Sequence, residues 1–226
     1  MTTQAADPLA KARLAKESKR QSLLSDSRIK TASINPKEAK LCSGIRPLDE
    51  FLHGGLAFSN LIELGMPFGN GGRRLTALFL AKATSGQWDG RQKLWCLWVS
   101  ARQQLDLYPP AWISIGVDLH YLRFARSQTP LIDLKPIFTD SFFRVLVFDG
   151  VSLSNDDCRF LSIQARSNRQ LIILLKDDYL SRSQSNISAR LRLNITRHSN
   201  ENLYTVESIR GVCRKPQLTM SLLKNS

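Results

Sequence analysis

Ser43–Arg74 reads SGIRPLDEFLHGGLAFSNLIELGMPFGNGGRR, and the rest of the chain is organised around it. The pattern predicts a loop, a short helix, a Gly-Gly turn, a strand and a second glycine-rich loop that enters a helix. Such a strand–loop–helix passage is an anion cradle, because backbone N–H groups and the helix N-terminus converge there. Its nucleotide-binding form is G-x-x-x-x-G-K-[ST], in which Lys reaches the outer phosphates and the hydroxyl holds the metal. Counted from Gly65, the lysine position is Gly71 and the hydroxyl position Gly72. With Gly71 as the second glycine, those positions fall on Gly72 and Arg73. One further step puts Arg73 and Arg74 there, and Pro67 at the first glycine. No frame supplies both Lys and a hydroxyl. The loop candidates are Gly65, Gly69, Gly71, Gly72, Arg73 and Arg74. The two arginines read either as holders of a bound phosphate or as solvated first-turn residues that oppose the helix dipole.

Outward from this loop, the chain alternates strand and helix. Leu61–Leu64 is a short apolar strand and Leu75–Ala83 a helix. Lys93–Ser100, Leu119–Arg126, Arg144–Asp149 and Gln170–Leu175 are further strands. Leu105–Ile115 is expected to be helical but interrupted by Pro109-Pro110. Pro130–Thr139 is a helix broken by Pro136, and Asp156–Asn168 a helix. Continuous apolar strands between helices indicate a parallel sheet covered on both faces. From Arg190 the pattern becomes one-faced alternation, with Leu191, Leu193 and Ile195 opposite Arg190, Arg192 and Asn194. That predicts a closing C-terminal antiparallel hairpin, with its turn near Asn200–Asn202. Trp95 and Trp98 read as core or sheet-face residues.

The charge is lopsided. The 226 residues carry 32 Lys+Arg against 19 Asp+Glu, a net of +13 and a pI near 10.0. Such an excess points to a polyanion, and DNA precedes membrane because no anchor is evident. Residues 1–40 hold nine basic and four acidic residues and no aromatic, as in a flexible or weakly helical basic arm. Residues 41–211 form the core domain, and 212–226 a basic tail or edge strand. The DNA-contact candidates are Arg190, Arg192, Arg197, Arg210, Arg214 and Lys215, with Lys16, Lys19 and Arg20 in the arm. Cys42, Cys96, Cys158 and Cys213 are scattered, so reduced thiols are expected rather than a zinc site. The N-terminal residues lack an apolar signal-peptide core, and no apolar run is long enough to span a bilayer. The expectation is a soluble, cytoplasmic protein without membrane contact.

SGIRPLDEFLHGGLAFSNLIELGMP resembles the segment that leads into the phosphate loop of the RecA superfamily. WVSARQQLDLYPPAWISIGVDLHYLRFARS resembles the recombinase segment after the second strand, and VLVFD resembles the Walker B strand, ending at Asp149. Within the superfamily the chain is most similar to the ImuA (SulA-like) group of bacterial accessory proteins. SARLRLNI and YTVESIRGVCRKP resemble that group's C-terminal strands. The resemblance implies a RecA-like core and a role in the DNA-damage (SOS) response, in translesion synthesis and induced mutagenesis. It also implies contacts with a RecA-type recombinase, an error-prone Y-family-like polymerase and DNA, and leaves self-association open.

A RecA-type ATPase needs a Lys, a Ser/Thr, a Walker B Asp and a Glu that activates water. Ungapped comparison puts Arg102 at that Glu and Ser100 at the acid before it. A guanidinium stays protonated and cannot be a general base. The expectation is therefore a non-catalytic protein without catalytic residues or a cofactor. The alternative is an active RecA/KaiC-type ATPase in which Arg73 replaces the Lys and Asp149 holds Mg²⁺ for ATP. A cell-division inhibitor is a further alternative, suggested by the group's second label alone.

Overall fold

Apolar runs become the strands of one main sheet and a small two-stranded one. The computed structural model describes residues 39–88, 92–102, 108–183, 186–198, 203–211, 213 and 215–221. The strands are β1 (Lys40–Leu41), β2 (Leu56–Ala57), β3 (Asn60–Gly65), β4 (Cys96–Ser100), β5 (Leu122–Arg126) and β6 (Val145–Asp149). They continue with β7 (Leu171–Lys176), β8 (Leu191–Arg197), β9 (Leu203–Arg210) and β10 (Gln217–Ser221). The helices are α1 (Arg46–Phe51), α2 (Gly72–Ser85), α3 (Pro109–Ser114), α4 (Pro130–Asp133), α5 (Lys135–Thr139) and α6 (Asn155–Ser167).

Eight strands form the main sheet in the order β10-β9-β8-β3-β7-β6-β4-β5. From β8 to β5 every pairing is parallel, and β8-β9-β10 is antiparallel. The short strands β1 and β2 pair separately around α1. There the Asp49 carboxylate accepts from Ser43 N at 2.7 Å, Ser43 Oγ at 2.9 Å and Gly44 N at 3.1 Å, which ties the incoming loop to the helix.

The continuous apolar strands have a direct cause, because side chains alternate faces and both faces are covered. Ile62, Leu64, Trp98, Val147 and Ile173 belong to one core, with Leu75 and Phe79 of α2. Leu61, Leu97, Val99, Leu146, Phe148 and Ile172 belong to the other, with Cys158, Leu161 and Ala165 of α6. A capping box starts α6: Ser154 Oγ accepts from Asp157 N, and the Asp157 carboxylate accepts from Ser154 N.

Three expectations change. Pro109 and Pro110 start α3 instead of interrupting a helix, since proline lacks only an N–H that the first turn leaves unpaired. Pro136 likewise opens α5, so the segment is two short helices meeting at Leu134. The third concerns the C-terminal hairpin. Its first strand, β8, runs parallel to β3 and is buried on both faces, Arg192 and Asn194 included. The segment after β7 covers the polar side. Asn194 Oδ1 accepts from Leu180 N at 2.7 Å and its Nδ2 donates to Leu180 O at 3.0 Å. The predicted turn at Asn200–Asn202 lies outside the described residues.

Candidate functional site

Parallel strands end at the same side of a sheet, and here three of them deliver charged residues to one place, beside the loop that follows a fourth. Ser100 of β4 is level with Asp149 of β6, Asp149 with Leu175 of β7, and Gly65 of β3 with Lys176. Arg102 lies just past β4, Asp149 ends β6 and Asp177 follows β7. Arg73 reaches them from the first turn of α2.

The glycine loop sets the position of Arg73. Gly71 is the last residue before α2 and has φ +78°, a conformation that costs glycine little. A side chain there would also meet Tyr204, whose ring and hydroxyl lie 2.6 Å from the Cβ position. Gly72 opens the helix, and a Cβ on it would stand 1.3 Å from Met66 Sδ. With Gly71 as the second glycine, Gly72 takes the lysine position and Arg73 the hydroxyl position.

Arg73 Nε donates to Asp149 Oδ2 at 2.9 Å, and its Nη2 donates to Asp149 Oδ1. The same Nη2 reaches Asp177 Oδ1 at 3.2 Å. Arg102 Nη2 donates to Asp177 Oδ2, and Arg102 Nε lies 3.5 Å from Asp149 Oδ1. Two guanidiniums and two carboxylates thus close a neutral ring. Asp149 is fully buried, whereas the Asp177 side chain is 38% exposed. Phe68, from the glycine loop, covers both cations, with Arg73 Cζ 4.5 Å and Arg102 Cζ 4.6 Å from its ring centre. Burial works against the charge of Arg73. The bonds and charges of Asp149 and Asp177 outweigh it and hold the guanidinium above its ordinary range.

The loop candidates therefore divide. Gly71, Gly72 and Arg73 belong to the ring's setting, and Gly65 closes β3. A Cβ on Gly69 would meet nothing within 4 Å, so that glycine serves only its φ of +87°. Arg74 is exposed on α2 and turns no charge into the ring. Sequence reading missed Asp177. Its signal was the KDD run ending a buried strand whose neighbour also ends in Asp.

The basic candidates divide as well. Arg190, Arg197, Arg210 and Lys215 are exposed at the antiparallel end of the sheet. Arg192 is not, being 3% exposed. Its Nε donates to Glu63 Oε2 at 2.7 Å and its Nη1 to Ser181 O at 3.1 Å. A cation committed in this way inside the fold has no surface left for phosphate. Arg214, Lys16, Lys19 and Arg20 lie outside the described residues. Among the described residues no three of His, Cys, Asp and Glu gather as a metal site. No helix among them is long and apolar enough to cross a membrane.

No family model and no curated protein matches the sequence. Among solved structures, a crystal structure of the RadB recombinase superposes with a TM-score of 0.63 at 15% identity, over 79% of this chain and 93% of that one. At that identity the likeness speaks for the fold alone, and the chain has a RecA-like α/β fold: a mostly parallel sheet between helices, closed by antiparallel strands.

Proposed function

We propose that the chain is a non-catalytic RecA-like accessory protein of the bacterial DNA-damage response. In this role it acts in translesion synthesis through contacts with a recombinase, an error-prone polymerase and DNA. One observation carries the non-catalytic part: both oxygens of Asp149 accept from Arg73. A magnesium nucleotide needs that carboxylate, a lysine and a hydroxyl at the start of the helix. The residues present do not fit it. Gly72 offers no ammonium, Arg73 brings a guanidinium where the metal's hydroxyl ligand belongs, and Arg102 adds a second cation. The ring supplies internally the positive charge that a metal would bring to Asp149.

Exposed Arg190, Arg197, Arg210 and Lys215 support contact with DNA phosphates, a contact that weakens steeply with salt. The role in damage tolerance rests on the sequence resemblance. Turnover of ATP with and without single-stranded DNA tests the first part. The expected result is no turnover above the protein-free blank and no rise in melting temperature with millimolar Mg-ATP. Turnover that disappears in folded Asp149→Asn protein overturns it. Capture of a recombinase or polymerase from DNA-damaged cells, absent from undamaged ones, tests the second.

A further inference from the structure

Beside the charge ring, a cavity of about 400 Å³ opens between α2 and α3. Ala77 of α2 and Ala111, Trp112 and Ile115 of the α3 segment give it apolar walls, and Arg73 and Arg74 line it as well. The Trp112 ring is fixed edge-on by two neighbours, Trp98 at 4.9 Å and 90° and Phe124 at 5.4 Å and 82°. This is a preformed apolar recess with a rigid aromatic wall.

The charge count around it is incomplete. The first turn of α2 holds two arginines and no acid, at the positive end of the helix dipole. Arg73 is neutralised by Asp149 and Asp177. Arg74 makes no hydrogen bond or ion pair with any described residue. A ligand that completes the site brings one negative charge next to an apolar group.

We propose that this cavity docks a partner peptide, a large apolar side chain entering between α2 and α3 while an adjacent carboxylate pairs with Arg74. A nucleotide fits less well. A buried base edge needs several hydrogen-bond partners, and among the described residues the walls offer only Ser114 besides Arg73 and Arg74. An aliphatic or aromatic side chain has no such need, and a single guanidinium matches a single carboxylate in fork geometry. The cavity borders the charge ring through Arg73, whose guanidinium is already held by Asp149 and Asp177, which leaves Arg74 as the arginine that meets the peptide's carboxylate.

The test uses acetylated, amidated hexapeptides that carry Leu, Phe or Trp beside Glu, each with a Gln twin. They are titrated against the full-length ¹⁵N-labelled chain while the Trp112 indole N–H resonance, assigned with Trp112→Phe, is followed. At least one Glu peptide is expected to shift it saturably. Affinity should fall about tenfold for the Gln twin and for Arg74→Gln, the loss of one charge-assisted bond. Ala111→Trp, at an exposed position of α3, should fill the cavity and abolish binding with the melting temperature unchanged. The proposal is overturned by the absence of a saturable shift with every Glu peptide, or by equal affinity for the Gln twin or Arg74→Gln. Displacement of the peptides by oligothymidylate of higher affinity also overturns it, and reassigns the cavity to nucleic acid.

Discussion

Arg73 and Asp149, far apart in sequence, meet in a two-pronged ion pair, Nε to Oδ2 at 2.9 Å and Nη2 to Oδ1. Asp149 has no exposed surface, and a desolvated carboxylate needs a cation of its own. The chain supplies it from the glycine loop's helix, and Arg102 with Asp177 balances the remaining charge. In this arrangement the Asp149 carboxylate is engaged by both guanidiniums.

Asp149→Ala should therefore lower stability sharply. It strips both guanidiniums of their buried partner, a type of loss worth about 3–5 kcal/mol. Asp177→Ala should cost much less, about 1 kcal/mol, because that carboxylate is partly solvated and Arg73 keeps Asp149. Urea unfolding of the two variants beside the parent chain checks the order. Equal midpoints for both variants would contradict the central place given to Asp149.

Phe68 is 58% exposed yet sits over both cations. Its removal should couple to theirs. In a double-mutant cycle of Phe68→Ala with Arg102→Met, the interaction energy should be about 0.5–1 kcal/mol, the range for a cation–π contact open to water. A cycle that closes to zero would make Phe68 an incidental neighbour.

Restoring the missing motif residues should not restore a nucleotide site. In Gly72→Lys with Arg73→Thr, the new Cβ at position 72 would fall 1.3 Å from Met66 Sδ, so loop or methionine must move. Crowding of this kind costs about 1–3 kcal/mol. The double variant is expected to melt lower than the parent and to show no stabilisation by Mg-ATP. Gly72→Ala alone isolates the steric part and should lower stability in the same direction.

How far the sequence could be read follows from which forces act locally. Apolar periodicity gave the order of strands and helices, because burial on both faces writes continuous hydrophobic runs such as LIILL. Arg102 was legible as a departure from the acidic segment that WVSARQQLD resembles. Its partner was not, since Asp177 and Arg102 meet only once the parallel strands align their ends. Pro109-Pro110 and Pro136 do not interrupt helices as expected, because the same residue that breaks a helix interior favours its first turn. Glu63 was the overlooked clue. A carboxylate inside the apolar run LIEL must find a buried cation, and alternation alone had assigned that cation, Arg192, to the solvent face.

That reassignment separates two kinds of arginine experimentally. Glu63 and Arg192 have side chains 5% and 4% exposed and are joined at 2.7 Å. Arg192→Ala leaves an unpaired buried carboxylate, so stability should fall by about 3–5 kcal/mol. Its effect on DNA binding, measured below the melting temperature, should be negligible. Arg197→Ala and Arg210→Ala remove exposed cations and should leave stability within about 0.5 kcal/mol. Each should instead weaken DNA binding at all sequences and flatten the slope of log affinity against log salt by about 0.7–0.9. Measuring unfolding midpoints and salt-dependent DNA affinity on the three variants gives opposite patterns for the two classes. A salt slope that drops in Arg192→Ala at unchanged stability would return that residue to the DNA-contact set and remove the buried pair as its explanation.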